Sequence, residues 1–260
     1  MKPLFPLIAG LTIMTTSTAQ AQTSPEAGRK FSPDLVRSVS PALEAHIEQR
    51  IHGDLWSRPG LAKRDRALAT IAILIARNEP GPIGNYANQA LDYGLKPSEL
   101  SETILQLAYY TGWGNAMAAV APVAEVFKKR GIDASQLPAV EPKLLPLDEA
   151  AEAARAKRVG EQFDTISPGV VQYTTDYLFR DLWLRPDLSP RDRGVITVTA
   201  LMTTGQVEQL PTHLNKAMDN GLTEREVGEI ITQVAFYAGW PRAFSAMPVV
   251  KKVFAERAAK

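Results

Sequence analysis

The chain has 260 residues, 45% of them apolar, which is material for one large helical or sheet domain or two small ones. A formal net charge of +1 leaves no electrostatic footprint for nucleic acid or for an anionic membrane surface. Cysteine is absent, which excludes disulfides, thiol chemistry and thiolate metal sites.

The first element is expected to lie outside the fold. Met1 and Lys2 make a short basic start, Leu4 to Met14 is mostly apolar, and Ala19-Gln20-Ala21 has the small-x-small form of a cleavage site. Residues 1–21 are therefore expected to be a signal peptide that directs the chain to the periplasm or the outside. The apolar run is shorter than the ~20 residues a membrane span needs.

From Ser40 onward the sequence repeats itself. Residues 54–66, DLWSRPGLAKRDR, return as DLWLRPDLSPRDR at 181–193. The offset of 127 holds without a gap from Ser40-Pro41 (Ser167-Pro168) to Val126-Phe127 (Val253-Phe254), a self-similarity well above chance. The organisation read from this is a first repeat over 28–130, a linker over 131–147 and a second repeat over 148–257.

Within each copy the apolar period is helical. Ser40, Ser167 and Ser189 each precede Pro or a Pro-led run, as an N-cap does before Pro at the first helical position. The run LATIAILIA at 68–76 is apolar nearly all round and predicts a helix buried on several sides. YANQALDYGL at 86–95 answers HLNKAMDNGL at 213–222, each closing on a Gly placed for a left-handed C-cap. Thr223 and Glu226 have capping-box spacing. The helix they open, ITQVAFY in copy two and ILQLAYY in copy one, stops at Gly239 and Gly112. No stretch alternates with period two, so the expected class is all-α, two tandem helical units of five or six helices packed pseudo-symmetrically. Such apolar helices in small units also predict packing against other chains, hence a homo-oligomer.

The second copy resembles the carboxymuconolactone decarboxylase family. The residues that carry the resemblance are Arg191 and Arg193; Gly205, Glu208, His213, Ala217 and Gly221; Glu229-Ile230; and Tyr237-Ala238-Gly239 with Pro241. Copy one shares the frame but puts Tyr86 opposite His213 and Gly81 opposite Glu208. The resemblance implies an all-helical fold in symmetric rings. It also implies either a lactone-acid decarboxylase or a thiol peroxidase with two cysteines seven and four residues before the His. Those places hold Gln206 and Gln209 here, and Glu79 and Pro82 in copy one, so the peroxidase branch fails residue by residue.

The expectation is then a cofactor-independent lyase or isomerase acting on a small carboxylated or lactone-like molecule, with no metal. His213 is the proton carrier, since both imidazole forms are accessible near neutrality. Glu208 is its companion acid, and Arg191 or Arg193 holds a carboxylate. Tyr237 and Trp240 are candidate substrate contacts, with packing the alternative for Trp240. Tyr86, a phenol that stays protonated near pH 7, lines at most a second, altered pocket. The recurrence of the Arg-Asp-Arg triplets in both copies offers a structural role for Arg191 and Arg193 instead. His46 and His52, unmatched in copy two, carry no assigned role. The alternative function is a non-catalytic small-molecule-binding or scaffold protein of the same fold.

Overall fold

The computed structural model describes residues 32–259; the expected signal peptide lies outside them. Among the described residues there are twelve α-helices and no strands. Copy one contributes α1 (Pro33–Val39), α2 (Pro41–His46), α3 (Lys63–Ala76), α4 (Pro80–Asp92), α5 (Pro97–Thr111) and α6 (Trp113–Arg130). Copy two contributes α7 (Glu149–Phe163), α8 (Pro168–Tyr173), α9 (Pro190–Thr204), α10 (Leu210–Asp219), α11 (Glu224–Ala238) and α12 (Trp240–Ala258). The offset of 127 pairs α3 with α9, α4 with α10, α5 with α11 and α6 with α12. In both copies the second helix runs on into a π-helical segment, Ile47–His52 or Thr174–Phe179. A 3₁₀ turn follows each, and it carries Trp56 or Trp183.

Local chemistry sets these boundaries. Ser189 Oγ accepts from the Asp192 amide at 3.1 Å, and Pro190 fills the first helical position where no amide is needed. Thr223 and Glu226 form the reciprocal capping box. Gly94 and Gly221 sit at φ 91° and 100° just past α4 and α10. Ser40 caps α2 through the Leu43 amide. Ser167 makes no capping hydrogen bond, although its sequence setting is the same.

The centre of the molecule is the pair α3 and α9, which pack on each other. From Asp65 to Ala76 and from Asp192 to Thr203 every residue is buried, which accounts for an apolar character on all sides. The copies interlock across this pair: α5 packs on α9, and α11 packs on α3. One hydrophobic core therefore runs through both copies.

The seam between the copies is polar and repeats itself under the same offset. Arg66 and Arg193 are fully buried. Arg66 donates to Glu229 at 2.7 Å and Arg193 to Glu102 at 2.6 Å. Gln233 donates to Thr70 Oγ1 and Gln106 to Thr197 Oγ1. Arg64 reaches Asp192 and Arg191 reaches Asp65, each at 2.8 Å. Every contact crosses from one copy to the other, so the pseudo-twofold relation is written in ion pairs as well as in helices.

Candidate active site

His213 stands in the first turns of α10. The position of that helix follows from a close approach: a Cβ on Gly194 of α9 would lie 2.7 Å from the Ala217 Cβ. The imidazole stacks on Trp183, with ring centroids 6.0 Å apart and planes 13° apart. The Tyr110 ring meets it edge-on at 5.1 Å. Trp183 Nε1 donates to the Tyr110 hydroxyl at 2.9 Å, which locks the two aromatic walls together. Tyr110 comes from α5 of copy one, so the box around His213 is built by both copies.

Neither imidazole nitrogen has a hydrogen bond among the described residues, and Nδ1 is buried. Burial, together with the Lys216 ammonium one turn further on, lowers the His213 pKa from 6.5 to about 4. The ring is thus neutral near pH 7. The Lys216 ammonium is itself depressed by burial. It lies 4.8 Å from the Trp183 ring centre and 5.7 Å from that of Phe179. Arg155 of α7 covers the same Phe179 ring at 4.3 Å. It pairs with Glu152 and donates to Thr175 Oγ1, while its Nη1 is buried without a partner among the described residues.

The pseudo-symmetric place in copy one holds the same frame with different chemistry. Tyr86 stacks on Trp56 at 6.0 Å and 14°, and Tyr237 of copy two meets it edge-on at 5.6 Å. Trp56 Nε1 donates to the Tyr237 hydroxyl at 2.9 Å, and the Tyr86 and Tyr237 hydroxyls lie 2.7 Å apart. Burial raises both phenols above the ordinary tyrosine pKa. A cleft of about 520 Å³ opens beside Tyr86.

The structure separates several residues that the sequence groups together. Glu208 lies exposed in the turn between α9 and α10 and has no hydrogen bond or ion pair among the described residues, so it does not orient the imidazole. Arg193 is buried against Glu102 and Gln106. Arg191 is held by Asp65, Asp192 and Glu226. Both guanidiniums thus face carboxylates of the chain itself. Tyr237 belongs to the Tyr86 site and not to the His213 site. Trp240 is 52% exposed and packs edge-on against Phe236. Sequence reasoning gave no role to Tyr110, Trp183, Lys216 or Arg155. Trp183 and Tyr110 were visible only as positions repeated at Trp56 and Tyr237.

The carboxymuconolactone decarboxylase family profile matches residues 41–125 and 168–252. A 4-carboxymuconolactone decarboxylase of Acinetobacter baylyi is 28% identical over 94 residues, 36% of this chain and 70% of that protein. A nitrosuccinic acid decarboxylase of Metarhizium robertsii is 31% identical over 78 residues, 30% of this chain and about half (54%) of that one. A crystal structure of a gamma-carboxymuconolactone decarboxylase subunit from Burkholderia xenovorans LB400 superposes over 88% of this chain and 91% of its own, at 19% identity and a TM-score of 0.47. With both helical units matched, the chain belongs to the carboxymuconolactone decarboxylase family as a tandem, cysteine-free member.

Proposed function

We propose that the chain is a cofactor-independent carboxy-lyase acting on a small carboxylated or lactone-like molecule, with His213 at the reacting centre. Both matched relatives are decarboxylases by name, and family membership covers both copies. The observation that carries the reading is the His213 Nδ1, buried in an aromatic box without a partner among the described residues. Leaving such an atom unpaired costs about 1–3 kcal/mol, a cost that a group reserved for a ligand justifies.

Loss of CO2 leaves an electron pair on carbon, which delocalises onto a neighbouring carbonyl as an enolate-like oxyanion. The single N–H of the neutral imidazole donates to that oxygen, and the carbon takes its proton from a water molecule, whose hydroxide combines with the released CO2 as bicarbonate. Lys216 and Arg155, the cations gathered over Phe179, hold the carboxylate in the role first expected of Arg191 and Arg193. The same reading takes the chain to be exported by residues 1–21 and to work as a closed homo-oligomer.

The test is CO2 release from a panel of unsaturated lactone acids and 2-nitro dicarboxylic acids. His213→Gln lowers release at least ~100-fold with the helical circular dichroism unchanged. Undiminished release by that variant ends the mechanism. A second reading, a ligand-binding protein without turnover, is favoured by one feature: open space lies beside Tyr86, whereas the His213 Nδ1 is enclosed. Under it, panel compounds bind and none loses CO2.

A further inference from the structure

The two pseudo-equivalent sites carry opposite uncompensated charge. The copy-one cleft is walled by Glu44, Glu48, Asn85, Tyr86, Gln89 and Asp92. Under the offset of 127 the copy-two counterparts of Glu44, Glu48 and Gln89 are Val171, Thr175 and Lys216. Copy two has therefore lost two carboxylates and gained an ammonium at matched positions. In copy one Arg37 pairs with Glu44 at 2.7 Å and Arg130 pairs with Asp92. Glu48 remains, exposed and without an ion pair among the described residues. In copy two Arg257 pairs with Asp219 and Arg155 with Glu152, and Lys216 remains. His52, exposed at the cleft, is the other titratable group on its wall.

Tyr86, which lines the copy-one cleft, ends a directed hydrogen-bond relay. An indole N–H can only donate, so the Tyr237 oxygen must accept from Trp56. If Tyr86 also donated to that oxygen, the Tyr237 proton would be left without an acceptor. The arrangement that satisfies all three groups has Tyr237 donating to Tyr86 across 2.7 Å. The Tyr86 O–H is then the free end of the relay and serves a ligand in the cleft. Its phenol, raised by burial, keeps that proton near neutrality. A volume of about 520 Å³ lies in the range of small-molecule sites.

We propose that the cleft over Tyr86 is a second ligand site, distinct from the His213 site, for a small organic ammonium compound that also carries hydroxyl or carbonyl oxygen. The ammonium faces Glu48 and the side-chain carbonyls of Asn85 and Gln89, and an oxygen accepts from Tyr86. The duplicated fold thus offers two aromatic frames on one plan whose unpaired charges are of opposite sign. This inference stands whether or not His213 is catalytic.

The experiment uses one ring scaffold in three charge states. Glucosamine, glucose and glucuronate are titrated up to ~10 mM into the mature full-length chain at mildly acidic pH, with binding followed by amide chemical shifts. Glucosamine shifts amides of α2 and α4, glucose does so more weakly, and glucuronate leaves them unmoved. Glu48→Gln weakens glucosamine about tenfold, Tyr86→Phe weakens glucosamine and glucose alike, and His213→Gln changes neither. Glu48 is exposed, so its variant folds. No shift with any of the three overturns the proposal, as does equal affinity for all three or unchanged glucosamine binding in Glu48→Gln.

Discussion

His213 is held neutral by its surroundings, and this links stability to pH. Its folded pKa of about 4 lies below the ordinary 6.5. Between these values the unfolded chain binds a proton that the folded chain refuses. Stability therefore rises with pH through that window and is lost as pH falls from about 6.5 toward 4. The shift corresponds to a few kcal/mol, on the order of 3. Urea midpoints measured at pH 7 and pH 4.5 should fall further for the wild type than for His213→Gln, which has nothing to titrate there. Equal falls would mean that the imidazole is not buried. Glu229, lowered from 4.5 to about 2 chiefly by its hydrogen bond to Arg58, begins to lose its contribution as pH falls to 4.5, but both chains share it, so it does not mask the comparison. At this scale His213 was legible because it replaces a Tyr in a repeated phrase. Its walls were not. Tyr110 and Tyr237 look alike in their own helices, and only the packing of α5 on α9 decides that each serves the other copy.

The central helices gain specificity from ions that composition alone would place on the surface. Glu102 is 1% exposed and bonds both Arg193 and Arg185. Its counterpart Glu229 bonds buried Arg66 and also Arg58, whose side chain is 43% exposed against 9% for Arg185. Removing one partner of a buried pair costs about 3–5 kcal/mol because the remaining charge is stranded. An arginine with access to water loses much less. Glu102→Gln is thus expected to destabilise by several kcal/mol and Glu229→Gln by clearly less, measured by chemical denaturation. Equal losses would show that exposure of the second arginine does not matter. Helix starts, stops and the apolar character of α3 and α9 could be read from the sequence because capping and periodicity are local. The Arg-Asp-Arg triplets could not be assigned that way, since Arg191 and Arg193 meet their carboxylates across the seam between copies.

At the scale of the whole molecule, the interlocked core leaves one face of each terminal hairpin uncovered. Trp113, Met117 and Val120 of α6 and Trp240, Phe244 and Met247 of α12 are all exposed, Trp113, Met117 and Phe244 by 60% or more. Phe244, Met247, Pro248 and Phe254 with Ile231 line an apolar groove of about 630 Å³. The pseudo-twofold relation places matched apolar stripes, Trp113 with Trp240 and Met117 with Phe244, on both halves of the chain. Clustered exposed apolar side chains of this kind mark interaction surfaces. A closed ring that repeats one contact covers them all. For the proposed homo-oligomer, α6 and α12 are the expected contact surfaces. Light scattering coupled to size-exclusion chromatography should give a mass that is a multiple of the single chain. Phe244→Glu, which puts a carboxylate into the groove, should shift it toward the monomer while helical circular dichroism is retained, since Phe244 lies outside the intrachain core. A wild-type chain that runs as a monomer at ~10 µM, a concentration at which standard interfaces stay associated, would remove the ring and leave these faces to some other partner.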